Sequence, residues 1–155
     1  MNERLGTLIE GYRTNTWLIH RHAEGLTDEG CLRQPAFEVI TFNWVLGHIV
    51  GHRDHALVAL GAAPVWADPP AVYGEDPAVL TALDVGRTLA ELLADLDMAE
   101  GRLADAMESV SEPLLTEIVD SPFGKVTRLE RVAGLQWHET YHVGQLGLLK
   151  SVAKG

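Results

Sequence analysis

Apolar positions recur along this chain at the three-and-four spacing of amphipathic helices, in four separate stretches. The first runs from about Glu3 to His22 and sets Leu5, Leu8, Ile9, Tyr12, Thr16 and Ile19 on one side. The second runs from about Asn43 to Leu60. In the third, from about Asp84 to Glu108, Leu89, Leu92, Leu93, Leu96, Ala99, Leu103 and Met107 form one stripe. Arg87 and Glu91 are spaced there as a small i,i+4 surface pair. The fourth runs from Arg128 to about Ala153, and Thr127 with Glu130 makes a capping box at its start, just after the turn S-P-F-G.

Polar connections bearing proline or glycine separate these stretches. Residues 62–83 contain four of the seven prolines and read as a long crossover. No strand-like alternation of useful length and no internal repeat appear. The pattern therefore predicts an all-α chain, a four-helix bundle with its long connection between the second and third helices.

Composition fits this picture. A chain of 155 residues with 46% hydrophobic and 22% charged residues reads as one domain, residues 1–155, able to bury a core without staples. The net charge of −10 repels phosphate backbones and anionic lipid, so nucleic acid is not an expected partner. No apolar run approaches the roughly 20 residues that span a bilayer. The N-terminal M-N-E-R-L-G-T-L-I-E lacks the segments of a signal peptide, and Cys31 is the lone cysteine. Together these features predict a cytoplasmic protein away from membranes.

The histidines change the picture most. There are seven, and five fall on the second and fourth helices: His48, His52, His55, His138 and His142. On a wheel of 100° per residue, His138, His142 and Gln145 lie within about 60° of one another, sharing their arc with Leu135, Leu146 and Leu149. His48 and His55 nearly superpose on the second helix, with His52 about 40° round. A buried imidazole must satisfy two nitrogens. An inward pair on one helix, facing a helix with more, has a shared metal as its common solution, and imidazole suits zinc, nickel, copper and iron. Rise per residue puts His48 about 8 Å inside the start of its helix and His142 about 15 Å inside the end of its own. Antiparallel helices would match these two, whereas parallel helices would match His55 instead, and periodicity leaves the direction open.

The run H-E-T-Y-H at 138–142 also spells the H-E-x-x-H of zinc proteases. Those enzymes need a third ligand downstream, and no His, Asp or Glu follows His142 in this sequence. Gln145 and Leu148 stand where one protease class continues with Gly and His. A metalloprotease is the weakest reading, and Glu139 falls on the polar edge of the stripe.

With V-L-G-H-I-V-G-H-R-D on the second helix and H-E-T-Y-H-V-G-Q-L-G-L-L-K on the fourth, the chain resembles the DinB/YfiT-like superfamily of bacterial four-helix metalloproteins. The resemblance implies an up-down-down-up bundle with antiparallel second and fourth helices. It thereby selects His48, His138 and His142 as ligands of a divalent metal, zinc or nickel, and implies a homodimer, which the broad apolar faces also suggest. His52 and His55 lie outside the family pattern and are candidates for an extra ligand or a supporting role. Members with assigned activity are thiol-S-transferases or thiol-dependent isomerases using bacillithiol, mycothiol or glutathione.

Three neutral histidines would leave a coordination position open, as in catalytic zinc sites. A thiol held there would lose its proton near neutrality and could attack a small electrophile. Gln145 is placed to hold a histidine or the ligand, and Arg131 to meet a substrate carboxylate. Tyr141 and Trp44 flank the stripes, and Trp66 and Tyr73 in the long connection are candidates to cover the cavity. The leading expectation is a metal-dependent thiol transferase. Its rival is a stress-response bundle that binds a metal or small ligand without turnover. No catalytic side chain beyond the ligands can be named.

Overall fold

The computed structural model describes residues 3–36, 40–75 and 86–155. Among the described residues, six α-helices form in chain order: α1 (Glu3–Ala23), α2 (Asp28–Cys31), α3 (Phe42–Ala59), α4 (Leu89–Ser109), α5 (Glu112–Thr116) and α6 (Arg128–Lys154). A 3-10 turn covers Ala71–Tyr73. A short antiparallel hairpin, β1 (Ile118–Ser121) and β2 (Gly124–Thr127), leads into α6. The four long helices match the four periodic stretches. The hairpin has no counterpart in the periodicity, because two four-residue strands are too short to display an alternation, and no residue of either is fully buried.

Local chemistry sets the helix starts. Thr41 caps α3 by accepting from the Trp44 N–H. Thr88 and Glu91 form a capping box at α4, and Thr127 and Glu130 form the expected one at α6. The third helix thus begins after Arg87, and its expected start at Asp84 lies outside the described residues. Glu91 turns back to its own cap. Arg87 instead stacks over Trp66 and reaches Asp95 at 3.4 Å, so its charge only adds to the Thr88 bonds that lower the Glu91 pKa, without a close ion pair between the two.

Contacts fix the helix directions. Along α1 and α6, Gly11 meets Gln136, Asn15 bonds Thr140 and His22 meets Gly147, so these helices run parallel. Arg128 donates to the Ala59 carbonyl while His48 faces His142, so α3 and α6 run antiparallel. Asn43 donates to the Arg87 carbonyl and Arg53 to that of Leu96, so α3 and α4 run parallel. The result is the expected up-down-down-up bundle. Parallel α3 and α4 require the chain to return along the whole bundle, which is the task of the long crossover.

The apolar core comes in two blocks. One gathers Ile19, Phe42, Val45, Leu46, Leu92, Leu96, Val143 and Leu146, and the other gathers Leu5, Ile9, Tyr12, Leu57, Leu103, Met107, Val132 and Leu135. Between them lies a polar layer centred on Arg53 of α3, whose side chain is fully buried. Arg53 grips Glu139 of α6 through two bonds of 3.0 and 2.8 Å. It also donates to the Leu96 carbonyl of α4 and to the Tyr12 carbonyl and Thr16 hydroxyl of α1. One guanidinium therefore ties all four long helices, a geometry that suits its rigid fork of donors.

Candidate metal centre

The histidines sit just beside this polar layer. His48 and His52 come from α3, one turn apart, and His138 and His142 from α6, one turn apart. Their arrangement follows from the antiparallel packing. Ring centroids of His48 lie 4.8 Å from His142 and 5.7 Å from His138, and the His138 and His142 Nε2 atoms are 3.1 Å apart. His48, His138 and His142 each offer one nitrogen to a set whose members all lie within 4.8 Å of one another. Nitrogens around a zinc ion, each about 2.05 Å from it, stand about 3.3 Å apart when tetrahedral. A side-chain shift of roughly an ångström therefore closes this set around an ion.

Outer contacts fix how two of the rings are presented. His48 Nδ1 lies 3.1 Å from the Tyr73 carbonyl and 3.2 Å from that of Gly74, so Nδ1 carries the proton and Nε2 a lone pair. His142 Nδ1 lies 2.6 Å from Gln145 Oε1, with the same consequence. Trp44 is buried, stacks on His48 at 4.7 Å and spends its indole N–H on the Val72 carbonyl. It supports a histidine and offers no polar atom to a substrate. His138 Nδ1 is buried and bonds to no described group.

All four rings are held neutral. Burial pushes the His52 pKa down to about 2, and the neighbouring histidines push it further the same way. Burial lowers His142 to about 4 against the opposing bond to Gln145. His48 and His138 are lowered as well, chiefly by burial. Neutral imidazoles with inward lone pairs are the form that binds a metal ion.

The remaining candidates fall around this cluster. His52 packs between His48 and His138, at 4.3 and 4.5 Å, but does not join the converging set. His55 is exposed, and its ring lies 5.2 Å from that of His52. Although it superposes on His48 along the helix, seven residues of rise set it about 10 Å further along α3, away from the level of His138 and His142. Arg131 is half-buried on α6, two turns before His138 and close enough to depress its pKa. Tyr141 is 56% exposed at the rim, its ring 5.3 Å from His142 and its hydroxyl 3.4 Å from Gln145 Nε2. Trp66 and Tyr73 are buried, and Tyr73 packs its ring against Gly47, where any Cβ would collide with it.

Glu139 answers the protease question. It is 1% exposed, held by Arg53 on both oxygens and by Asn15 on one. Its carboxylate faces the polar layer, so it cannot serve as a general base at the histidines, and the polar edge expected for it is in fact interior. Arg53 is the residue that sequence reasoning missed, and its only signal is a charge on the apolar side of the second helix.

The family model of the DinB superfamily matches residues 13–146, a span that contains every histidine of the cluster. The chain belongs to the DinB superfamily. Among solved structures, the fold is similar to a conserved protein from Enterococcus faecalis, with a TM-score of 0.76 over 97% of this chain and 96% of that one, at 16% identity. A search of curated proteins returned no match. No helix among the described residues is long and apolar enough to cross a membrane.

Proposed function

We propose that His48, His138 and His142 hold a divalent ion, zinc or nickel, and that the protein uses it to transfer a low-molecular-weight thiol onto a small electrophile. The observation that carries this reading is the convergence of three neutral imidazoles within 4.8 Å, two of them with Nε2 freed by an outer hydrogen bond. A bound ion would supply the positive charge that draws down the pKa of a thiol beside it.

The protein's own groups do the rest. His48 is fixed from behind by the carbonyls at 73 and 74 and by the face of Trp44, so its ring is ordered before anything binds. Gln145 does the same for His142 from the α6 side. Arg131, at the half-buried approach along α6, receives the carboxylate that bacillithiol or glutathione can present, a contact that mycothiol does not make. Tyr141 marks the open rim. In the transfer itself the thiolate sulfur attacks an electrophilic carbon, a C–S bond forms, and a halide or other leaving group departs with the electron pair. The thiol proton passes to solvent. With Glu139 committed to Arg53, the glutamate of the H-E-x-x-H run is not the base that hydrolysis would use.

The experiment is metal analysis of purified protein followed by conjugation of monochlorobimane to each of the three thiols. His142→Ala should lose both the ion and turnover. Turnover that survived in a metal-free variant would end the transferase reading, while a metal-loaded protein inert toward all three thiols would leave the binding bundle as the better account.

A further inference from the structure

A cavity of about 490 Å³ opens beside the histidine face of α3, between that helix and residues 64–75. This is within the size range of pockets that enclose small organic ligands. It shares His48 and His52 with the histidine cluster, so the two spaces meet at those rings.

The walls are built in advance. Asp54 accepts from the Val65 and Trp66 N–H groups and so pins the start of the segment to α3. Trp66 spends its indole N–H on Asp95, and Tyr73 donates its hydroxyl to Asn43 while accepting from the Arg87 N–H. The polar tip of each aromatic is thus used by the fold, and their rings, 5.8 Å apart and near parallel, line the cavity with Val58, Pro64 and Pro69. Among the described residues the pocket lining contains no lysine or arginine, whereas Asp54 and Glu75 are both part of it. Arg87 and Arg102 lie nearby, one stacked on the Trp66 face and paired with Asp95 but with its Nε unpartnered among the described residues, the other donating to the Pro64 carbonyl. His52 Nδ1 is buried without a hydrogen-bond partner among the described residues, and its Nε2 stands 3.8 Å from Glu75 Oε1, beyond hydrogen-bonding distance.

We infer that this cavity binds a neutral, largely apolar organic molecule, anchors it through His52, and rejects carboxylates and sulfonates. An anion here would lose its water and gain no cation, facing two carboxylates instead. Calling the occupant the electrophile of the transfer rests on the function proposed above; the binding itself does not. The division of labour is then spatial: a carboxylate-bearing thiol enters past Arg131 along α6, and the neutral partner waits between α3 and residues 64–75.

The test uses zinc-loaded protein and two dyes of one skeleton, neutral N-phenylnaphthylamine and its sulfonated analogue anilinonaphthalenesulfonate. The neutral dye should saturate at one per chain and bind roughly tenfold or more tighter than the sulfonate. Val58→Trp, at a half-exposed position of the wall, should weaken the neutral dye by roughly tenfold with zinc stoichiometry unchanged. Ala71→Trp, on the opposite and exposed wall, should do the same if Val58→Trp fails to fold. Equal affinities, a tighter sulfonate, or a folded blocking variant that binds the neutral dye normally would overturn the inference. Zinc retained without dye binding sinks the cavity alone, and dye binding without zinc sinks only the metal reading.

Discussion

Two polar clusters lie side by side in this bundle, and they are built from adjacent residues. Arg53 follows His52 on α3, and Glu139 follows His138 on α6. A step of about 100° on each helix sends the charged pair into the central layer and the imidazoles to its edge. The charged pair is closed: Arg53 uses Nε, Nη1 and Nη2 on Glu139, Leu96, Tyr12 and Thr16. The histidines are open: lone pairs converge, and His52 and His138 each keep a buried Nδ1 without a described partner. A satisfied buried network specifies how helices pack, while an unsatisfied, convergent one waits for something to bind.

The largest effect should come from unbalancing the closed cluster. Glu139→Gln leaves a buried guanidinium without its counter-charge and is expected to cost about 3–5 kcal/mol, read by urea denaturation. Zinc stoichiometry of the folded fraction should not change. Replacing both partners, with Arg53→Met and Glu139→Leu, should recover most of the loss, because a matched apolar pair avoids the desolvation of two ions. If Glu139→Gln kept full stability but abolished thiol transfer, Glu139 would belong to the reacting centre and the contrast between the two clusters would fail.

Next comes the hydrogen bond that links the open cluster to its surroundings. Gln145→Leu removes the acceptor from His142 Nδ1, 2.6 Å away, and frees the ring to turn. Loss of such an outer partner typically weakens metal affinity by about 10–100-fold. Competition with a chromophoric chelator measures it, and Gln145→Glu, which keeps an acceptor at that place, should restore binding. Unchanged affinity in the leucine variant would make Gln145 a rim residue with no hold on the site.

This contrast also explains what could be read from sequence. Histidines four apart on an amphipathic helix reveal their face, and α6 keeps its polar side wet, so the wheel placed His138 and His142 correctly. The second helix gives less, because α3 is covered on nearly every side: Phe42, Trp44, Val45, Leu46, Ile49 and Val50 are all buried. Without a wet face, periodicity loses its reference, and only the resemblance to a family separated His48 from His55. The Arg53–Glu139 pair joins residues 86 positions apart, and no local pattern encodes it. The run T-L-A-E at 88–91 did carry a readable capping box, which the i,i+4 spacing of Arg87 and Glu91 hides.

The smallest effect concerns Cys31, and it sharpens the claim that the reacting sulfur comes from outside. Its side chain is fully buried against the upper core, and burial, helped by the charge of Asp28, raises its pKa to about 12. A raised acid pKa means that the folded chain keeps the proton longer than the unfolded one. Stability therefore stays level up to the ordinary thiol value near 9 and declines between there and about 12. At pH 8 the native thiol should resist Ellman's reagent and react fully in denaturant, and Cys31→Ala should leave any thiol transfer intact. Rapid stoichiometric labelling of the native protein would give the chain a reactive thiol of its own, and the histidine cluster would no longer need an external one.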